Sequence, residues 1–369
     1  MRHGGASGGN SAGESGGASG GASGGASGGA SGGASGAQLT FSRDHADSPA
    51  SPLLSGSLVT TRDAITGYWD LKKPLPVSAK DLQKKLGTGE DYLDQIRMPY
   101  RALVLECLLK GAVSVTGSGR VGSATLKADG KNITTIKRPP PEYFEASLSL
   151  IRAYADLRED RVGEIHMQLD DMLSFFGALG LLDSGRRQYT LMMLNVARNL
   201  AIHVETPMKY YCRAPRPIDY AMQVQPIVQT PDHSSFPSGH AMEAFAIAAV
   251  FHRLMTGEDP WTGIGAQTLP FCLAHRIAVN RTVAGVHFPV DSLAGAWVGC
   301  FVGEVIHAFA TGGDVPKEDL QIPANEPDFL LSSFPTAPSG ATPRLTRNDV
   351  AKELWNRAAN EWPGTPAKI

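Results

Sequence analysis

Residues 233–242, His-Ser-Ser-Phe-Pro-Ser-Gly-His-Ala-Met, contain the side chains best suited to chemistry. Pro237 presets the backbone, Ser238 suits a helix N-cap, and Gly239 lets a ligand approach the main chain. The apolar residues that follow predict a buried helix. Its N-terminus would present unpaired N–H groups and the positive end of a dipole to a phosphate-like anion. His240, in the first turn, could exchange protons with that anion.

Two flanking segments carry cations and a second histidine. Upstream, Lys209 closes a predicted helix, and Arg216 is extended because it precedes a proline. Downstream, Arg281 is followed by His287 and Asp291, and the four-residue spacing lets the carboxylate orient the imidazole N–H. Each residue alone has a structural explanation, as a surface cation, an interior histidine or a helix-start carboxylate. Together they indicate one anion site that contains a His–Asp pair.

The three segments resemble the type 2 phosphatidic acid phosphatase (PAP2) and vanadium haloperoxidase superfamily. Its pattern is Lys-x6-Arg-Pro, then Pro-Ser-Gly-His, then Ser-Arg-x5-His-x3-Asp, and residues 209–291 match it. One position departs from the pattern, because Asn280 stands where the pattern has serine. The resemblance implies a helical bundle whose loops surround a phosphate or vanadate ion.

The resemblance also implies a role for each matched residue. The oxyanion would be held by five residues: Lys209, Arg216, Ser238, Gly239 and Arg281. His287 would be the nucleophile on phosphorus or the ligand of vanadium, with its ring set by Asp291. His240 would be the general acid–base.

Such a site supports two reactions, because vanadate mimics the trigonal-bipyramidal transition state of phosphoryl transfer. A haloperoxidase would keep vanadate on His287 and oxidise halide with hydrogen peroxide. A phosphatase would need no vanadate, since it forms a phosphohistidine from a phosphate monoester. His233 favours the first, because bromide-oxidising members of the superfamily carry histidine at that position and chloride-oxidising members carry phenylalanine.

The preferred hypothesis from the sequence is therefore a vanadium-dependent haloperoxidase, with bromide favoured over chloride. The alternative is a soluble PAP2-type acid phosphatase acting on phosphate monoesters. A third hypothesis, a non-catalytic phosphate-binding protein, would not require two histidines and an aspartate.

Hydrophobic periodicity predicts a mainly α fold. Three consecutive amphipathic helices are predicted over 142–159, 164–182 and 187–205, and two apolar helices over 269–280 and 289–310. Residues 113–136, with Asp129-Gly130 as a turn, predict a small β-hairpin. The predicted organisation has three parts: a flexible Gly/Ala/Ser-rich arm over 1–37, a helical domain over 38–345, and a C-terminal helix within 346–369 packed on or beside it.

The 369 residues are 42% hydrophobic and 19% charged, with a formal net charge of −2. This balance argues against nucleic acid as a partner, which would require a basic surplus. The four cysteines have no C-x-x-C spacing, so free thiols are expected. The apolar runs are interrupted by charges or prolines, and the first residues lack the apolar core of a leader. The sequence thus predicts a cytoplasmic protein with no membrane partner.

Overall fold

The computed structural model describes residues 52–66, 80–81, 84, 92–183, 185–324, 328–340 and 342–364. The arm predicted over residues 1–37 lies outside this range. The chain divides into two compact units, one comprising Thr40–Arg101 and a larger one that contains Ala102–Ile369. Helix α1 (Pro52–Thr66) belongs to the smaller unit, and α2 (Met98–Ala112) begins in it. The domain boundaries predicted at residues 37 and 345 remain predictions.

The larger unit is mainly helical, which confirms the predicted fold class. Its helices after α2 are, in chain order, α3 (Pro141–Ala146), α4 (Leu148–Ala155), α5 (Arg158–Asp170), α6 (Leu173–Gly180), α7 (Gln188–Cys212), α8 (Pro217–Tyr220), α9 (Gly239–Thr256), α10 (Pro260–Gly265), α11 (Leu269–Val283), α12 (Pro289–Thr311) and α13 (Asp349–Ala359). Short 3-10 turns occupy Met222–Val224 and Leu331–Ser333.

Helix α9 is the centre of the larger unit. It packs against α7, α11 and α12, and the side chains of its first four turns are buried. Two glycines of α12 allow the close approach of α9 and α12. A Cβ at Gly295 would lie 2.3 Å from the Ser238 carbonyl oxygen, and one at Gly299 would lie 2.5 Å from that of Met242. A larger side chain at either position would push α12 away from the loop that begins α9.

Among the described helices, α12 is long and apolar enough to cross a membrane. It has 23 residues and a mean hydropathy of 1.5, with 94% of the measured window buried inside the protein. The sequence analysis expected no membrane span, whereas α12 passes this test of length and hydropathy. The two charged residues of α12, Asp291 and Glu304, do not lower its mean hydropathy enough to exclude it. In this fold α12 is covered by α7, α9 and α13.

The predicted hairpin is confirmed and extends to three strands. Strands β1 (Val113–Ser118), β2 (Ser123–Ala128) and β3 (Lys131–Lys137) form an antiparallel sheet in the order β1-β2-β3. Asp129 and Gly130 both have positive φ, of 50° and 72°, as a two-residue hairpin turn requires. The Trp297 indole N–H of α12 donates to the Thr134 hydroxyl at 2.9 Å, which joins β3 to the central helices.

Three helix predictions need correction at their boundaries. The segment 164–182 is not one helix, because Asp171 interrupts it and its carboxylate accepts the Ser174 N–H at 3.0 Å. The segment 142–159 likewise contains α3, α4 and the start of α5, with a break at Ser147. Helix α7 continues past its predicted end at residue 205 although it contains Pro207. Burial of its last turns compensates for the lost backbone hydrogen bond.

The C-terminal segment stabilises the start of α7. The Glu361 carboxylate accepts the backbone N–H groups of Tyr189 at 2.9 Å and Thr190 at 2.7 Å. Arg187, the N-cap residue of α7, supplies no side-chain cap. Glu361 therefore caps, from a distant part of the chain, the helix that carries Lys209 in its last turn.

Candidate active site

The loop before α9 is anchored at both ends. Ser238 is the N-cap of α9, and its hydroxyl accepts the Ala241 N–H at 3.5 Å. The Ser238 N–H donates to the Asp291 carbonyl oxygen at 2.8 Å, which ties the loop to the first turn of α12. Ser238 and Gly239 are buried. The positive end of α9 therefore faces the interior beside α12.

Lys209 holds this loop through two hydrogen bonds. Its ammonium group donates to the carbonyl oxygens of Ser234 at 3.1 Å and Pro237 at 2.7 Å. Burial lowers the pKa of Lys209 to about 8, and the nearby Glu205 carboxylate opposes part of this shift. The lysine therefore carries its charge at neutral pH and loses it above pH 8.

Arg216 joins the loop before α9 to the segment before α12. Its guanidinium donates to the carbonyl oxygens of His233 at 3.1 Å, Val286 at 2.8 Å and Ser234 at 3.3 Å. Its Nη1 also lies 3.1 Å from His287 Nε2. Burial lowers the pKa of Arg216 to about 10, so the side chain remains a cation.

His287 and Asp291 form the pair that the sequence spacing suggested. His287 Nδ1 lies 3.2 Å from Asp291 Oδ2, which also accepts the Phe288 N–H at 2.8 Å. Because Arg216 can only donate, His287 Nε2 acts as the acceptor and Nδ1 carries the proton. Burial, followed by the charge of Arg216, lowers the pKa of His287 well below its usual value. Burial also raises the pKa of Asp291 to about 6. At neutral pH the ring is thus neutral and the carboxylate ionised.

Arg281 is the charge that acts most strongly on His240, and both residues are buried. Arg281 Nη2 donates to the Ile165 carbonyl oxygen at 3.2 Å and to Gln168 Oε1 at 3.3 Å. Arg281 Nε and Nη1, and His240 Nε2, have no hydrogen-bond partner in the described part of the chain. Burial lowers the pKa of Arg281 to about 10 and that of His240 well below its usual value, the latter helped by Arg281.

The structure therefore brings all the predicted site residues into one cluster. Hydrogen bonds connect Lys209 and Arg216 to the loop before α9, and Arg216 to His287. The charges of Arg281, Lys209 and Arg216 all act on His240. Buried N–H donors without a protein partner beside a helix N-terminus suit a tetrahedral oxyanion, whether phosphate or vanadate.

His233 lies at the open side of the cluster, with Nδ1 3.2 Å from Arg216 Nη2. A cavity of about 870 Å³ opens there, and Tyr210, Arg213 and Asp232 also contribute to its lining. Lys209 and Arg216 also line the cavity, so it lies against these two cations of the cluster. Nothing in the geometry assigns His233 a halide preference, which remains a prediction.

Sequence reasoning did not identify several buried polar residues of the cluster. Glu205 lies one turn before Lys209, and a Cβ at Gly239 would fall 2.1 Å from its Oε2. Arg198 and Glu243 form a buried ion pair at 3.0 Å between α7 and α9. The available signal was the presence of these three charged residues within otherwise apolar helices, where an unpaired charge is costly.

Comparison with known proteins identifies the family of the chain. The family model described as the PAP2 superfamily matches residues 189–312. Decaprenylphosphoryl-5-phosphoribose phosphatase of Mycobacterium tuberculosis is 30% identical over 141 residues, which span 38% of this chain and 71% of that protein. Lipid A 1-phosphatase of Porphyromonas gingivalis is 38% identical over 72 residues, or 20% of this chain and 15% of that protein.

A solved structure with some similarity is the transmembrane PAP2 type phosphatidylglycerolphosphate phosphatase from Bacillus subtilis. It shares 19% identity at a TM-score of 0.34, with 55% of this chain and 92% of that one covered. On the strength of the family model and the mycobacterial relative, the chain belongs to the PAP2 superfamily.

The comparisons correct two predictions. The relatives are phosphatases, so they support a hydrolase, the alternative hypothesis, rather than the preferred vanadium haloperoxidase. The predicted cytoplasmic location, with no membrane partner, is wrong as well. It rested on the interrupted apolar runs and on first residues unlike a leader, whereas α12 is long and apolar enough to cross a membrane and the relatives are named for lipid A and a decaprenyl-linked phosphate.

Proposed function

We propose that this protein is a phosphatase that hydrolyses a phosphate monoester through a phosphohistidine at His287. The observation that carries the proposal is the environment of the His287 ring. Its Nδ1 is 3.2 Å from Asp291 Oδ2, and its Nε2 is 3.1 Å from Arg216 Nη1. Because Nδ1 holds the proton, Nε2 carries the lone pair of the ring, which accepts from Arg216 here and attacks phosphorus once Arg216 Nη1 is drawn to a phosphoryl oxygen.

In the first step, the phosphoryl oxygens accept N–H groups from Arg281 Nε and Nη1 and from the first turn of α9. His287 Nε2 attacks phosphorus while the bond between phosphorus and the ester oxygen breaks. His240 donates its proton to the departing alkoxide. The ionised Asp291 stabilises the positive charge that develops on the phosphorylated ring.

In the second step, water attacks the phosphohistidine. His240, now neutral, accepts a proton from that water as the phosphorus–nitrogen bond breaks. The bonding electron pair returns to His287 Nε2, and inorganic phosphate leaves. The same imidazole thus acts first as acid and then as base, and the proton that it takes from water leaves with the inorganic phosphate, which returns His240 to its neutral form.

The charge of the substrate makes this proton transfer possible. Burial and the charges of Arg281, Arg198, Lys209 and Arg216 lower the pKa of His240 well below its usual value. A bound phosphate ester carries the opposite charge, so its binding raises the pKa of His240. The proton enters with the ester in its monoanionic form, and activity should therefore fall as the pH rises above about 6, the second pKa of a phosphate ester.

We further infer that the substrate is linked to a lipid. The two relatives are named for lipid A and for a decaprenyl-linked phosphoribose, and this supports a lipid-linked phosphate ester here. The 870 Å³ cavity beside Arg216 and His233 has room for the group next to the phosphate. The apolar remainder of such a substrate would extend beyond the cavity.

The test compares phosphate release from a polyprenyl-linked sugar phosphate and from p-nitrophenyl phosphate by the purified full chain. Both should be hydrolysed, the lipid-linked ester with the higher kcat/KM. Orthovanadate should inhibit competitively, because it mimics the transition state at this site. Rapid acid-free quenching with labelled substrate should trap label on His287.

His287→Gln should remove both the hydrolysis and the trapped label, with a loss of at least about 10³-fold. His166→Gln is the matched control, because His166 is an exposed histidine on α5. Oxidation of bromide by hydrogen peroxide after vanadate loading, without phosphate release from either ester, would overturn the proposal in favour of a haloperoxidase.

A further inference from the structure

Arg281 is anchored by acceptors that carry no formal charge. Its Nη2 donates to the Ile165 carbonyl oxygen and to the side-chain oxygen of Gln168. Both acceptors belong to α5, which precedes the segment 189–312 matched by the family model. A carboxylate in their place would offset the charge of the guanidinium. Neutral anchors fix its plane and leave that charge to act on a ligand.

The orientation of Gln168 is fixed by a second donor. Gln168 is fully buried, and its Oε1 also accepts the side-chain N–H of Asn280 at 3.0 Å. An amide that receives two N–H groups must turn its oxygen toward both of them, so the assignment of its oxygen and nitrogen is determined. Gln168 is therefore locked between Asn280 and Arg281, which are consecutive residues of α11.

Asn280 is itself held by charged side chains of α5 that are partly exposed. Its Nδ2 also donates to Glu164 at 3.1 Å, and its Oδ1 accepts from Arg161 at 3.2 Å. Glu164 in turn pairs with Arg276 at 2.6 Å. Asn280 stands where the superfamily pattern has serine, and a serine hydroxyl has one proton to donate. Serine could not serve Glu164 and Gln168 together.

We propose that Gln168 is a positioning residue that, together with Asn280, aims Arg281 Nε and Nη1 at the phosphoryl oxygens without placing a negative charge in contact with the guanidinium. This inference rests on the phosphatase function proposed above. It also explains the departure from the family pattern at residue 280, because the asparagine amide can donate to both Gln168 and Glu164.

Q168E is the central test, because it preserves shape and acceptor but adds a negative charge beside Arg281. Affinity for orthovanadate, measured by inhibition and by calorimetry, should fall on the order of tenfold at neutral pH, less than the 10²–10³ expected for losing a whole oxyanion donor. KM for the phosphate ester should rise as the affinity falls. The affinity should recover as the pH is lowered and the introduced carboxylate is protonated, a recovery that a merely structural role would not produce.

Two further variants separate positioning from charge. Q168M keeps the volume but removes the acceptor, so orthovanadate affinity should fall without recovering at low pH. N280S should weaken orthovanadate binding less than Q168M does. The Q168M/N280S double variant should bind orthovanadate as well as Q168M, since both substitutions act through the same amide. M167E is the matched control, because Met167 is the exposed neighbour of Gln168 and receives the same charge.

Thermal unfolding of each variant shows whether it folds. Unchanged orthovanadate affinity in folded Q168E and Q168M would overturn the inference, even if both variants melt earlier. If wild-type protein neither binds orthovanadate nor releases phosphate, the proposed function fails and this inference fails with it. If wild-type protein is active and the variants match it, only the inference fails.

Discussion

Lys209, Arg216 and Arg281 are all buried cations of the site, but their hydrogen bonds are used differently. Lys209 donates to two loop carbonyl oxygens and Arg216 to three. Arg281 has two guanidinium nitrogens, Nε and Nη1, without a partner in the described residues. The first two cations therefore hold the loops in place, whereas the third is prepared to receive a ligand.

The sequence pattern treats the three cations alike, but the structure separates two tasks, which are holding the loops and binding the ligand. A cation that binds backbone carbonyl oxygens still attracts an anion through its charge, but it offers few new hydrogen bonds. A cation with unused N–H groups offers both charge attraction and new hydrogen bonds, and it needs no rearrangement when the ligand binds. The comparison predicts that removing either kind of cation impairs catalysis, but that only one of them supports the fold.

The largest expected effects come from Arg281→Met and Arg216→Met. Each should lower kcat/KM by about 10²–10³-fold. Only Arg216→Met should also destabilise the protein, by about 2 kcal/mol, because it leaves the buried Val286 carbonyl oxygen and the half-buried His233 carbonyl oxygen without these donors. Replacing Arg281 removes a buried charge and should be close to neutral for stability.

Urea unfolding and steady-state kinetics of the two variants provide the measurement. Arg152→Met is the control, since Arg152 on α4 is exposed and its ion pair with Asp156 lies at the surface. If Arg281→Met unfolds at lower urea than Arg216→Met, the division between structural and ligand-facing cations is wrong.

The parts of this site that lie close together in sequence were predictable. Ser238 and Gly239 before an apolar run identify the start of α9, and the spacing of His287 and Asp291 identifies their pairing across one helical turn. The Asp129-Gly130 turn was also readable from residue type, because positive φ at both positions limits the choice of residues.

The remaining parts depend on contacts between distant segments. No local pattern relates Gln168 on α5 to Arg281 on α11, or Glu361 to the start of α7. Propensity placed the end of α7 too early, because burial of Met208 and Cys212 outweighs the cost of Pro207. The reaction was not decided by the motifs either, since the same donors suit phosphate and vanadate.

The second expected effect is a pH dependence that belongs to Lys209 alone. Burial brings the pKa of Lys209 to about 8, whereas those of Arg216 and Arg281 stay at about 10. The lysine is charged below its pKa and neutral above it. Affinity for inorganic phosphate, measured by calorimetry, should therefore decline above pH 8, by up to about tenfold per pH unit.

Lys209→Arg distinguishes this titration from other alkaline effects. An arginine remains charged through this range, so the decline between pH 8 and pH 9.5 should disappear even if the affinity at pH 7 is lower. A decline of the same steepness in Lys209→Arg would assign the pH dependence to another group. His166→Gln, altered on the exposed face of α5, should behave as the wild type.

The smallest effect on catalysis is expected from Glu361→Ala, which acts at the far end of the helix that carries Lys209. Loss of the cap leaves the Tyr189 and Thr190 N–H groups without their acceptor and should destabilise the protein by about 1 kcal/mol. The 25 residues of α7 separate this cap from the site, and Lys209 is fixed locally by the Ser234 and Pro237 carbonyl oxygens. The melting temperature should therefore fall while kcat and KM stay unchanged, and Asn360→Ala, at the exposed neighbouring position, should alter neither. A raised KM in Glu361→Ala would mean that Lys209 depends on the whole of α7 rather than on the loop it binds.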